Sequence, residues 1–186
     1  MSLKSIVSRK ILILVLCLFA FSYGSFISGY NIAESGEGNL SLPGVSSESV
    51  VANSFSLNKL GRLVNSERTG AGISKLKIDE KLSKSALDKC KDMAERKYWS
   101  HNAPSGATPW SFIEDRGYYY ESVGENLAYD FMTEAGIVRG WMNSEGHREN
   151  ILDEKFKDVG YGICDAKGYE KEFTTVIVVQ HLGKSL

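Results

Sequence analysis

The chain has 186 residues, 42% hydrophobic and 24% charged, which suits one soluble domain with a proper core. A net charge of −1 gives no basic field for nucleic acid. The sequence also lacks a glycine-rich phosphate loop and a CxxC pair.

The first thirty residues differ from the rest. Lys4, Arg9 and Lys10 precede an uncharged stretch from Ile11 to Tyr30, densest in apolar residues from Ile11 to Phe21, with Ser22, Gly24 and Ser25 following. A basic flank, an apolar heart and small residues read as a secretory signal, and the same stretch is long enough to span a bilayer. Residues 1–30 are therefore a signal peptide or an N-terminal membrane anchor, and a membrane contact is expected only through this segment if it stays uncleaved. Either way the basic flank stays cytoplasmic and the remainder is secreted or held at the cell envelope on its extracytoplasmic side. Leu16, not a small residue, precedes Cys17, which argues against lipoprotein processing there. Residues 31–55 are rich in Ser, Gly and Asn, carry Glu34, Glu37 and Glu48 with no basic residue, and have no periodic apolar face. They read as a flexible linker, leaving 56–186 as the folded domain.

Within that domain, Leu57, Leu60, Leu63 and Val64 share one helical face after Ser56, a capping residue, and Gly70 and Gly72 end the helix. A longer helix is predicted from Asp79, its N-cap, to Lys97. The loop beyond it carries His101 and is broken by Pro104 and Gly106. Thr108-Pro109 starts a third helix ending near Gly117, since proline fits the first helical position. A fourth runs from Thr133 to Asn143 and pairs Ile137 with Trp141, after which Ser144-Glu145-Gly146 reads as a tight connection that leaves His147 on a loop. The period then changes. Val159–Cys164 and Phe173–Leu182 read as strands around a turn near Lys167-Gly168. Val176 to Val179 are apolar on both faces, as a central strand covered above and below would be. The expected fold class is α+β, a three-layer α-β-α sandwich with a mainly antiparallel central sheet.

Export bears on the cysteines. Cys90 and Cys164 can form one disulfide in an oxidising compartment. Cys90 also shares a helical face with Leu82, Ala86 and Met93, so simple packing accounts for it as well.

Two of the three histidines have partners of the right chemistry nearby in short segments: His101 in SHNAPSG, Glu125 and Asn126 in GENLA, His147 in WMNSEGHRENIL. Two imidazoles and a carboxylate suit a divalent ion with open positions, or an acid–base pair. The bland alternative has these side chains fixing loop backbone. Asn126, Asn143 and Asn150 suit bracing, because an amide satisfies two backbone groups at once. His181, at the end of the apolar strand, reads as structural. The run Tyr118-Tyr119-Tyr120 is either a partly buried rim or a wall for an apolar or sugar ligand.

At these segments the chain resembles the CAP superfamily (cysteine-rich secretory proteins, antigen 5, pathogenesis-related proteins) in its prokaryotic SCP-like branch. The likeness covers nearly all of 57–186: residues 63–93, the Ser-His of 100–101, GENLA at 124–128, GWMNSEGHRENIL at 140–152 and DVGYG at 158–162. It implies the same sandwich, with a cleft of two histidines and two acids, three of which match His101, Glu125 and His147. The second acid of animal and plant members falls here at Ser144, with Glu145 one residue later, turned either into the cleft or away from it. Members are described as binding proteins for sterols or other lipids, as divalent-metal sites and occasionally as proteases.

The expectation is therefore an exported binding domain whose cleft, lined by His101, Glu125, Asn126 and His147, takes a small, lipid-like or peptide ligand, or a divalent metal such as zinc on His101 and His147. One rival is a metal-assisted extracellular hydrolase in which Glu125 or Glu145 activates water. Another is an envelope or coat structural protein.

Overall fold

The computed structural model describes residues 54–166 and 175–186. The signal or anchor segment, most of the linker and the turn expected near Lys167-Gly168 lie outside the described residues. Among the described residues, no helix is long and apolar enough to cross a membrane.

Five helices and four strands follow in the order α1 (Leu57–Gly70), β1 (Lys77–Ile78), α2 (Glu80–Arg96), α3 (Pro109–Asp115), β2 (Tyr120–Tyr129), α4 (Glu134–Asn143), α5 (Glu145–Leu152), β3 (Asp158–Ala166) and β4 (Thr175–Ser185). Four helices start where side chains satisfy their orphan N–H groups. Ser56 accepts from Lys59 N, Asp79 from Leu82 N, Thr108 from Ser111 N and Thr133 from Gly136 N.

The sheet runs β1-β3-β4-β2, antiparallel except for the short β1–β3 pair. β4 is central and buried along nearly its whole length, as its two-sided apolar run predicts. One face of the sheet carries α2, with Ala86, Cys90 and Met93 against Leu127, Ile177 and Val179. The other carries α1, α4 and α5, with Leu60, Val64, Ile137, Trp141 and Ile151 against Ala128, Val178 and Leu182. This is the expected α-β-α sandwich.

Two expectations are corrected. Ser144 is at once the C-cap of α4 and the N-cap of α5, so His147 lies on a helix, not on a loop. An acid in the first turn favours that start, but Ile151 is the only buried residue of α5, so no apolar stripe announces the helix. GENLA, read as a short segment, is the middle of the long strand β2.

Close approach of α2 to the sheet depends on DVGYG. A Cβ added at Gly160 would lie 2.1 Å from the Leu82 carbonyl carbon, and one at Gly162 2.3 Å from that of Ala86. Only bare backbone there lets α2 settle onto β3. On the opposite face, fully buried Arg68 fixes α5 to α1. It donates to the carbonyls of Ile151 at 2.7 Å, Asp153 at 2.9 Å and Phe156 at 3.2 Å, at the C-terminal end of α5.

Cys90 and Cys164 form a disulfide between α2 and β3, across 74 residues of sequence. Cys90 is fully buried and packs in the α2 face as well. Closing so long a loop restricts the unfolded chain, so the Cys90→Ala/Cys164→Ala double variant should lose about 2–4 kcal/mol of stability. Urea unfolding of the oxidised wild type and the variant measures this as a lower midpoint, with a steeper slope for the variant because its unfolded chain is less compact.

Candidate functional site

β2 is an edge strand, and the site lies over its free edge. Its register against β4 sets Glu125 opposite His181 and Asn126 opposite Gln180. Side chains alternate along a strand, so Glu125 and Leu127 face α2 while Asn126 and Ala128 face α4 and α5. Glycine at 124 is needed for this packing, since a Cβ there would lie 2.9 Å from the Phe156 ring.

On the α2 side, Glu125 is 4% exposed and both its oxygens are held by histidines. Oε1 lies 2.6 Å from His101 Nδ1, and Oε2 lies 3.1 Å from His181 Nε2. His181 is fully buried, and its Nδ1 lies 2.7 Å from Ser85 Oγ on α2. The side chain of His101, by contrast, is 57% exposed. Lys89, one helical turn beyond Ser85, is fully buried and pins the loop that carries His101. Its ammonium donates to the carbonyls of Ser100 at 2.9 Å and His101 at 2.7 Å, and to the Tyr98 hydroxyl at 3.0 Å. Tyr98 in turn donates to Asp92.

On the other side of the strand an amide network replaces ions. Asn126 is fully buried, donating to Gln180 Oε1 at 2.7 Å and to the His147 carbonyl at 3.1 Å. Asn150 donates to Asn126 Oδ1 and to the Glu125 carbonyl, and Trp141 donates to the Leu127 carbonyl. These bonds hold α4 and α5 along β2 and cover part of its edge. They also fix the backbone of His147. Asn126, expected on the cleft wall, is thus placed in the packing beneath α5 instead.

His101, Asn102, Pro109, Trp110, Val123, Gly124, Glu125 and Asn150 line a cleft of about 300 Å³. Trp110, 38% exposed, is its aromatic wall. The tyrosine run lies elsewhere: Tyr118 is buried and donates to Asp158, while Tyr119 and Tyr120 border another depression with Glu114 and Leu186. Glu145 also lines a separate depression, of about 680 Å³, with Met142, Asn143, Arg148, Glu149, Leu152 and Asp153. His147 is half-buried on α5 and close enough to His101 to feel its charge.

Ser85 and Lys89 go unnoticed in the sequence, and His181 reads there as structural. A signal for all three exists. Ser85 and Lys89 interrupt the apolar stripe of α2 at positions between Leu82 and Met93, and His181 continues the Ile177, Val179 alternation toward the same face. Polar groups on an apolar face require partners.

The electrostatics follow from these contacts. Burial pushes the Glu125 carboxyl upward, but hydrogen bonds from His101 and His181, with the charges of His181 and Lys89, outweigh it and hold the group below its ordinary value of 4.5. The hydrogen bond to Glu125 raises His101 above 6.5, against burial and Lys89. Burial, helped by the charge of His101, lowers His147 below 6.5. Burial likewise lowers Lys89, against the attraction of Glu125 and Asp92. The stabilisation from Glu125 is full above its unfolded value near 4.5 and is lost as pH falls through the lower folded one. That from His101 is full below 6.5 and is lost as pH rises through its raised folded value. For His147 the neutral form is favoured, so its share is present above 6.5 and lost as pH falls through the lowered one. Proton titrations followed by NMR should therefore place His101 above and His147 below 6.5, and Glu125→Gln should bring the His101 midpoint down. A His101 midpoint unmoved by that substitution would contradict the ion pair.

The profile of the cysteine-rich secretory protein (CAP) family covers residues 62–182, and the chain belongs to that family. It is 41% identical over 108 residues to the protein YkwD of Bacillus subtilis, covering 58% of this chain and 42% of that protein. The membrane protein YlbC of the same organism is 32% identical over 111 residues, covering 60% of this chain and 32% of YlbC. The chain thus spans less than half the length of either relative. Among solved structures, an extracellular SCP-domain protein of Bacillus anthracis superposes with a TM-score of 0.60 at 27% identity, over 69% of this chain and 40% of that one. An outer surface protein of Borrelia burgdorferi shares the fold, with a TM-score of 0.63 at 22% identity over 70% of this chain and 92% of its own.

Proposed function

We propose that this is an exported CAP binding domain whose cleft takes a divalent metal ion on His101 and His147, with Glu125 orienting His101. The observation that carries the reading is the 2.6 Å contact between Glu125 and His101 Nδ1, made by a carboxylate whose other oxygen is already held by His181. With Nδ1 donating to Glu125, the free nitrogen of His101 is Nε2, and a carboxylate behind a ring is the usual support of a ligating histidine. His147, lowered by burial, is favoured in the neutral form that ligates.

The donor set fits such an ion modestly. Among the described residues no group of three or more His, Cys, Asp or Glu side chains is arranged to hold a metal. His101 and His147 would supply two nitrogens and leave the other positions to water or to a second ligand seated against Trp110. A bound ion would supply Lewis acidity there. The hydrolase alternative draws less support, because Glu125 has both oxygens engaged and Glu145 lines the other depression. Export is supported by the basic flank and apolar stretch at 4–30, and by an extracellular and a membrane protein among the relatives.

Calorimetric titration of the purified, metal-free protein with Zn²⁺ tests the site. Binding should be lost in His101→Ala and in His147→Ala, and weakened about 10–100-fold in Glu125→Gln. Affinity unchanged in both histidine variants would sink the metal reading.

A further inference from the structure

A buried hydrogen-bond chain lies behind the cleft, running Ser85–His181–Glu125–His101 from the core of α2 to the cleft mouth. We infer that Ser85 and His181 are positioning residues, which fix the rotation of the Glu125 carboxylate and thereby hold His101 as the tautomer with Nε2 free toward the cleft.

An ionised carboxylate only accepts hydrogen bonds. Each Glu125 oxygen faces one imidazole nitrogen, so His101 Nδ1 and His181 Nε2 both donate. The remaining nitrogen of His181 faces Ser85 Oγ, which also lies 2.9 Å from the Leu82 carbonyl. The single hydroxyl proton turns either to His181 Nδ1 or to Leu82. In the first case Nδ1 accepts, and in the second it donates, but in both Nε2–H stays directed at Glu125. The Ser85 oxygen therefore sets the plane of the His181 ring, and the ring sets the carboxylate.

Neither residue touches the cleft: both are fully buried, and neither lines it. Their action passes through Glu125. With two oxygens bonded on two sides, the carboxylate cannot rotate without breaking a charge-assisted bond. Without His181, Oε2 would be a buried acceptor lacking its donor, and the side chain would turn toward the exposed cleft to find water. His101 would then lose the partner that selects its tautomer. This role does not depend on what the cleft binds, so it is tested without metal and its failure is distinct from that of the metal reading.

The test is ¹⁵N NMR of the imidazole rings in the metal-free protein, at a pH above the histidine titrations. Wild type should show His101 as a single Nδ1–H tautomer. His181→Leu should convert it to a mixture of both tautomers, and His181→Gln, which keeps an N–H donor for Glu125, should restore the single form. A His101 ring that stays wholly Nδ1–H in His181→Leu would overturn the inference, as would a failure of His181→Gln to restore it. If His181→Leu loses its cooperative melt, Ser85→Ala decides. Loss of the fixed His181 ring signals, with a reduced Nδ1–H share at His101, supports the chain, and unchanged signals from both rings overturn it.

Discussion

A carboxylate with 4% exposure, held ionised between two imidazoles, is the constraint around which this domain is arranged. Removing such a charge from water costs several kcal/mol even after relaxation. The cost is offset only if both oxygens find donors and a compensating charge lies near. Elements of two layers, the sheet and the α2 side, contribute to meeting that condition. β4 brings His181 opposite Glu125, α2 brings Ser85 behind His181, and Lys89 ties down the loop that delivers His101. A one-residue slip of β2 on β4 would exchange the faces of Glu125 and Asn126. The carboxylate would then enter the packing under α5, and the amide would face two histidines. Register is thus fixed by ion chemistry on one face and by the Asn126–Gln180–Asn150 network on the other.

The same edge strand explains why the cleft draws on both layers. His101 arrives from the α2 side and Asn150 from α5, with β2 between them. Their separation therefore depends on how each layer is seated on the sheet. On one side this is set by the bare backbone at Gly160 and Gly162 and by the Cys90–Cys164 bond. On the other it is set by Arg68 at the end of α5 and by the side-chain bonds from Trp141 and Asn150 to the β2 edge. Groups far from the cleft hold its two walls in place.

How much of this the sequence discloses follows from the range of each interaction. Helix starts at Ser56, Asp79, Thr108 and Thr133 are legible because a cap bonds an N–H three residues away. β4 is legible because both of its faces are apolar. β2 is not, because its buried positions carry Glu125 and Asn126, whose partners lie on distant elements. α5 is hidden by its single buried residue. His101, Glu125 and His147 are legible as candidates through their motifs. Lys89 and Ser85 go unnoticed, and His181 reads as structural, until α2 and β4 are known to share a face.

The clamp also bears on which atom of the cleft an incoming ligand meets first. For Glu125 to engage it directly, the carboxylate would have to surrender its bond to His101 or to His181. A hydrogen bond to a charged group contributes roughly 1.5–3 kcal/mol, and a buried donor left behind adds a penalty of similar size. The Nε2 of His101 requires no such exchange, since Nδ1 alone is engaged and more than half of the side chain is exposed. The cleft therefore presents imidazole nitrogen outward and keeps its carboxylate in reserve behind it, an order of contact set by hydrogen-bond energy.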